Sequence, residues 1–278
     1  MKRKRKGFFL VKFFRIDFIV LATLAITAFM LVGGVVPQME FTPAKTGEEL
    51  IPIPNSGTGG GQSSLQLNPI KFNKCTGTAA IDFLIDRSSS MQGTKITELK
   101  KAVLTFTGQM SDDSVIAIQD FSSPLSPYGT VRELVPFSYL KNVKTNLPTL
   151  VNNIQAYGNT HTKDAFIFTQ QKLNAAIPNY PKYKFALIFI SDGSPFTGGG
   201  GFFDPAQDPT AVANQIKTSG VRIFTIAYVD RSDAANNTKL QQLMQQVASN
   251  GDYTMAPDAS KIGDILSKIA TKMCETAQ

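Results

Sequence analysis

The chain has 278 residues, enough for one large domain or two small ones, and its 42 % hydrophobic and 18 % charged content suits a globular core plus an apolar segment. The formal net charge of +7 is local: Lys2, Arg3, Lys4, Arg5, Lys6, Lys12 and Arg15 fall before Asp17, and the 21 basic residues that follow meet 21 acidic ones. No basic cluster is left in the body of the chain, which excludes a nucleic-acid face, since phosphate neutralisation needs grouped Lys and Arg.

Residues 1–16 read as a basic cytoplasmic N-terminus and 17–37 as a transmembrane helix. The stretch FIVLATLAITAFMLVGGVV (18–36) carries no charge, and at about 1.5 Å rise per residue it roughly matches a bilayer's hydrocarbon core. Positive charge before it holds that end in the cytoplasm. The expected location is therefore the cell membrane, single-pass, with the remainder extracytoplasmic. A cleaved signal peptide is the rival reading, but the apolar run exceeds the usual length of about 7–15 residues and no small-x-small site with a polar start follows it. Residues 38–74 form a linker, stiffened by Pro43, Pro52, Pro54 and Pro69 and loosened by Gly57, Gly59, Gly60 and Gly61. Cys75 and Cys274 bracket the remaining segment, 75–278. An even count, an exported location and positions at both ends of one domain suggest a disulfide between them; two free thiols are the alternative.

From Ala79 the pattern alternates between strands and helices. AAIDFLI (79–85) is a short apolar run of the kind buried on both faces of a sheet. Ile96, Leu99, Val103, Phe106 and Met110 then recur at steps of three and four, one apolar face of a helix. VIAIQDF (115–121) is the next strand. TVRELVPF (130–137), with Pro136 and mixed polarity, suits an edge strand. Helical patterns follow at about 145–156 and 162–176, a buried strand at FALIFI (185–190), a helix at 209–218 and a strand at VRIFTIAYV (221–229). A helix near 238–249, a short strand at 252–255 and a helix at 258–273 complete the series. Such alternation predicts an α/β fold: a doubly wound, mostly parallel sheet with helices on both faces, binding ligands at the carboxyl ends of its strands.

Asp86 ends the first of these strands, and Asp86-Arg87-Ser88-Ser89-Ser90 follows at that edge. Loop residues at i, i+2 and i+4 can turn alternate side chains inward, which brings Asp86, Ser88 and Ser90 toward one point as hard oxygen donors for Mg²⁺, Mn²⁺ or Ca²⁺. Alone, the same pattern serves as a turn and helix cap. Two later stretches lie on the same predicted edge: Gly158-Asn159-Thr160, with Ala165 five beyond the Thr, and Ser191-Asp192-Gly193-Ser194 after the most apolar strand. Singly, Thr160 reads as a helix cap and Asp192-Gly193 as a tight turn.

Taken together, D-x-S-x-S, then G-x-T with Ala five beyond, then S-D-G after an apolar strand resembles the von Willebrand factor type A (VWA) domain over about residues 78–273. That family's metal-ion-dependent adhesion site (MIDAS) uses these elements in this order. The resemblance implies that Ser88 and Ser90 coordinate a metal directly, that Asp86 and Asp192 do so directly or through water, and that Thr160 is a ligand in some states. Asn159 stands where the family's second glycine is usual, and the glycines at 198–201 are an unusual insertion.

Two neutral hydroxyls, a threonine and two carboxylates leave a cation short of negative charge and with a position for water, which an incoming carboxylate can fill. The expected function is a membrane-anchored, extracytoplasmic domain that binds a protein or other acidic ligand through Mg²⁺, with Mn²⁺ or Ca²⁺ as alternatives. The rival is a structural or assembly subunit of a cell-surface complex, in which the metal only stabilises the fold. An enzyme is not expected: the single histidine, His161, cannot make a zinc site, and no phosphate-binding glycine loop with a lysine appears. His161, Phe202 and Phe203 are candidates for the ligand face. Arg87 is expected to point to solvent or a partner, and Asp120 to be a strand-end turn residue, with a place in a metal's outer shell as the alternative. Asn236-Asn237-Thr238 fits a glycosylation acceptor.

Overall fold

The structure, a computed structural model, describes residues 78–124, 129–198, 203–229 and 234–275, with side chains described in the last of these from 236 to 273. Its six strands are β1 (Ala79–Asp86), β2 (Val115–Phe121), β3 (Val131–Tyr139), β4 (Lys184–Ser191), β5 (Arg222–Tyr228) and β6 (Tyr253–Ala256), in the order β3-β2-β1-β4-β5-β6. Every neighbouring pair is parallel except β2–β3, so the sheet is mixed but mostly parallel. The strands that read as unbroken apolar runs are the central ones: all seven residues of β2 and all but the first of β1 and β4 are buried. β3, with one fully buried residue, lies at the edge, where Pro136 removes no shared ladder bond.

The helices are α1 (Thr94–Gln109), α2 (Leu140–Val143), α3 (Leu147–Asn152), α4 (Thr162–Ala176), α5 (Thr210–Thr218), α6 (Ala234–Val247) and α7 (Ile262–Glu275). Alternation along β1 sends Ile81, Phe83 and Ile85 to one face, against Leu99, Val103 and Phe106 of α1, Val151 of α3 and Leu266 of α7. Ala80 and Leu84 face the other way, against Phe166 and Leu173 of α4, Ile216 of α5 and Leu243 of α6. Each core contains an edge-to-face aromatic pair, Phe83–Phe106 at 5.4 Å and Phe166–Phe189 at 5.0 Å, a contact that contributes about 0.5–1.5 kcal/mol beyond its buried area.

Within β1, before its terminal Asp86, one polar side chain interrupts this pattern. Asp82, in the middle of β1, is fully buried on the α4 side and accepts a 2.7 Å bond from Gln119 Nε2 of β2, whose Oε1 accepts one from Thr169 of α4 at 3.0 Å. Burial raises the carboxyl to about 8, despite the glutamine bond.

The helix expected over 145–156 is shorter, Leu147–Asn152, and a separate turn of helix, Leu140–Val143, precedes it. Pro148 sits in the first turn of α3, where its missing N–H costs nothing, and the chain leaves the helix at Asn153. Beyond it, Ile154 enters the core and Tyr157 N–H donates to the Arg87 carbonyl at 2.7 Å. The expected cell-membrane location is corrected: among the described residues no helix is long and apolar enough to cross a membrane. The longest, α1, has 16 residues, against about 20 for a span. The segment 17–37 on which that expectation stood lies outside the described residues, as does the linker. The pairing of Cys75 with Cys274 likewise falls outside the described side chains.

Candidate metal centre

Parallel register brings the strand ends level. Asp86 pairs with Phe121 at the end of β2, and Ile85 with Ile190, so Ser191 and Asp192 emerge beside Asp86. The chain then tightens into one 3-10 turn, Ser89–Met91, anchored by the fully buried Met91. Ser88 is thereby turned inward and is 1 % exposed, whereas Ser89 and Ser90 are exposed.

The predicted oxygens converge. Asp86 Oδ1 accepts from the Ser88 backbone N–H at 2.7 Å, and its Oδ2 accepts from Ser191 Oγ at 2.5 Å. Ser88 Oγ and Ser90 Oγ lie 3.0 Å apart, and Ser90 Oγ donates to Asp192 Oδ1 at 2.7 Å. Burial first, and the charge of Asp192 second, raise the Asp86 carboxyl to about 7. Two carboxylates are thus held close in a poorly solvated corner, short of positive charge.

Two further loops complete the edge. Ser89 N–H donates to the Gly158 carbonyl at 2.8 Å, tying the second loop to the first. Gly158 has φ +83°, and a Cβ there would lie 2.6 Å from both Ser122 Oγ and Ser123 Oγ, so the position requires glycine. Thr160 and Phe196 exchange backbone bonds of 2.9 and 3.0 Å, which fastens the second loop to the third. Thr160 is 4 % exposed, and its Oγ1 lies 3.9 Å from where a Cβ on Gly193 would sit. Among the described residues its hydroxyl makes no hydrogen bond to Asp86, Ser88, Ser90 or Asp192. The structure therefore joins four of the five predicted residues into one bonded cluster and sets the fifth beside it.

The donor set fits a small hard cation. Oxygens holding Mg²⁺ at about 2.0–2.1 Å in adjacent octahedral positions stand about 3 Å apart. The Ser88–Ser90 and Ser90–Asp192 separations, 3.0 and 2.7 Å, are close to that spacing. Among the described residues no three His, Cys, Asp or Glu side chains gather as a metal site, so any cation here depends on the hydroxyls.

The ligand-face candidates fare differently. His161 turns back along its own helix, with Nδ1 3.3 Å from Asp164 Oδ2. Phe203 is half-buried, and Phe202 lies outside the described residues. The exposed aromatic on this edge is Tyr157, 49 % exposed and next to Gly158. Arg87 does not face solvent: it is fully buried and donates from Nε to Asp120 Oδ1 at 2.8 Å and from an Nη to the Gly129 carbonyl at 2.7 Å. Asp120 is held in this pair and in a second one with Arg132.

Three contributors were not anticipated. Ser191 orients Asp86. Asn236 Oδ1 accepts from Ser194 Oγ at 2.8 Å and ties the Asp192 turn to α6, so the expected glycosylation residue is engaged in packing. Lys95 Nζ donates to Asp192 Oδ2 at 2.5 Å and to the Ser90 carbonyl at 3.2 Å. A sequence signal for Lys95 existed: it lies in the first turn of α1, where the helix dipole disfavours a cation, so it needs an external partner.

Comparison with known proteins agrees with this geometry. Residues 81–268 match the von Willebrand factor type A domain, and no curated protein matches the chain. Among solved structures, the chain resembles the pilus adhesin SpaC of Lactobacillus rhamnosus GG at 17 % identity and TM-score 0.59, over 73 % of this chain and 31 % of SpaC. It resembles mussel byssus proximal thread matrix protein 1, described with a zinc-occupied MIDAS motif, at 17 % identity and TM-score 0.56, over 72 % and 49 %. The von Willebrand factor domain of the type V pilus tip protein Mfa5 of Porphyromonas gingivalis matches at 13 % identity and TM-score 0.57, over 72 % and 97 %. The chain thus spans about a third of SpaC and half of the byssus protein. None of the three carries an enzyme's name, and at these identities they speak for the fold. With its family match over 81–268 and a mixed six-stranded sheet, this chain belongs to the von Willebrand factor type A domain family.

Proposed function

We propose that the domain holds a divalent cation at Asp86, Ser88, Ser90, Thr160 and Asp192, with Mg²⁺ first and Mn²⁺ or Ca²⁺ as alternatives, and through it binds an acidic group, a carboxylate of a protein partner. The observation that carries this reading is the continuous contact Ser88–Ser90–Asp192 beside the buried Asp86. When bound, the cation supplies a positive centre that a partner's carboxylate can reach. The chain's own residues do the rest. Ser191 and the Ser88 N–H fix the Asp86 carboxylate, buried Ser88 forms the floor, and exposed Ser90 forms the rim. Tyr157, exposed on the same edge, offers apolar contact to a protein surface.

Thermal melts with and without Mg²⁺ test this. Saturating Mg²⁺ stabilises the wild type, by about 2.7 kcal/mol at one hundred times Kd. It does not stabilise Ser88→Ala or Ser90→Ala. Equal shifts in all three would place the ion elsewhere. Partner capture in Mg²⁺ that survives both EDTA and Asp86→Ala would favour the structural-subunit reading instead.

A further inference from the structure

Asp192 divides its two oxygens. Oδ1 faces the hydroxyls and accepts from Ser90 Oγ at 2.7 Å, while Oδ2 is taken by the Lys95 ammonium at 2.5 Å. The lysine is built into this position. Its backbone carbonyl accepts from Tyr228 Oη at 3.3 Å, its ammonium also holds the Ser90 carbonyl, and its side chain is only 25 % exposed. It sits in the first turn of α1 against the helix dipole, so its own helix does not account for it.

Building on the metal reading above, we propose that Lys95 is a specificity-determining residue: it weakens the hold on every divalent cation and discriminates against Ca²⁺ in favour of Mg²⁺. Two physical consequences of the geometry carry this. First, the ammonium supplies a positive charge next to one of the two carboxylates, so the site presents a net charge of −1 instead of −2, and a bound divalent ion keeps a surplus for an anionic partner. Second, with Oδ2 engaged, Asp192 offers one oxygen. Mg²⁺ asks for no more, because it takes six oxygens in a strict octahedron. Ca²⁺ takes about six to eight and gains from a carboxylate that binds through both oxygens. Lys95 acts through Asp192, and its ammonium is not itself a donor to a cation.

The test is titration calorimetry of Mg²⁺ and Ca²⁺ separately, at one salt concentration, on the wild type, Lys95→Met, Lys95→Arg and Ser88→Ala. Lys95→Met keeps the apolar stem and removes the charge. It should bind Mg²⁺ about tenfold more tightly than wild type, since one charge is removed at close range in a partly solvated site. It should bind Ca²⁺ more tightly by a larger factor. Lys95→Arg should restore the wild-type order, which loss of packing alone would not predict. If Lys95→Met binds both ions no tighter than wild type, or tightens both equally, the assignment to Lys95 is overturned while the metal site stands. If wild type and Lys95→Met bind neither ion, or Ser88→Ala binds as they do, the metal reading falls and the lysine's role with it.

Discussion

Adjacent residues at the end of β1 enter two clusters of opposite charge balance. Arg87 turns into a fully buried ion pair with Asp120, which Arg132 also contacts: two cations serve one carboxylate, and a backbone carbonyl takes another guanidinium N–H. Asp86 turns toward Asp192, so that two carboxylates meet beside a rim of hydroxyls, with one lysine, bonded to Asp192. The first cluster is complete within the chain. The second has oxygen donors and negative charge in excess. A closed buried pair holds strand ends together, whereas an excess of hard oxygen is useful only if something else arrives.

That contrast can be broken by making the same substitution in both clusters, in EDTA. Asp120→Asn strands the Arg87 guanidinium without a countercharge and should cost about 3–5 kcal/mol, the usual penalty for an orphaned buried charge. Asp86→Asn relieves a carboxylate–carboxylate repulsion and should leave metal-free stability unchanged or raised, while abolishing stabilisation by Mg²⁺. Urea midpoints decide; comparable losses in both would show that Asp86 is a structural residue like Asp120.

Gly158 links the two clusters. Its carbonyl holds Ser89 N–H, while the preceding Tyr157 N–H holds the Arg87 carbonyl. Gly158→Ala forces a left-handed backbone on a residue with a Cβ and drives that carbon into two serine hydroxyls. A loss of about 1–3 kcal/mol is expected, together with a weaker Mg²⁺ shift, because the loop bearing Thr160 moves. A loss of stability with an intact Mg²⁺ response would show that the second loop contributes only to the fold.

Asp82 sharpens the comparison as a carboxyl with neither a cation nor a hydroxyl rim. Its folded-state value, about 8, lies above the ordinary 3.8. Between those values the folded chain keeps a proton that the unfolded chain has released, so stability falls as pH rises, by up to about 1.4 kcal/mol per pH unit, and levels off above pH 8. Asp82→Asn mimics the protonated group and should remove that part of the slope. Urea denaturation at pH 5, 6, 7 and 8 reads it; parallel curves for wild type and variant would mean that Asp82 is ionised in the fold.

Most of the sheet was legible because its strands are apolar on both faces, and a run such as FALIFI has no other stable placement. The donor residues were legible because each ends a predicted strand or opens a predicted helix, which puts them on one edge without knowledge of the pairing. What escaped depends on contacts distant in sequence. Arg87 lies between two inward-facing residues, and Asp120, 33 positions on, and the Gly129 carbonyl, 42 on, draw it inside. Lys95 meets Asp192 across 97 positions. The break at Asn153 follows from a carbonyl on the first loop that claims Tyr157. Local periodicity carries no record of such partners.

The smallest expected effect tests the orientation within the serine run itself. Ser88, Ser89 and Ser90 are chemically alike, yet the 3-10 turn gives them different neighbours. Ser88 and Ser90 hydroxyls meet each other, and Ser90 reaches Asp192, while Ser89 is exposed and contributes its backbone N–H and carbonyl. Ser89→Ala keeps both backbone groups and should change stability by less than about 0.5 kcal/mol, the range of an ordinary surface substitution. Its Mg²⁺-dependent melting shift should match wild type, whereas Ser90→Ala, one residue on, should lose it. If Ser89→Ala also loses the shift, the turn reorganises when the ion binds, and the metal-free geometry of this loop is not the one that coordinates.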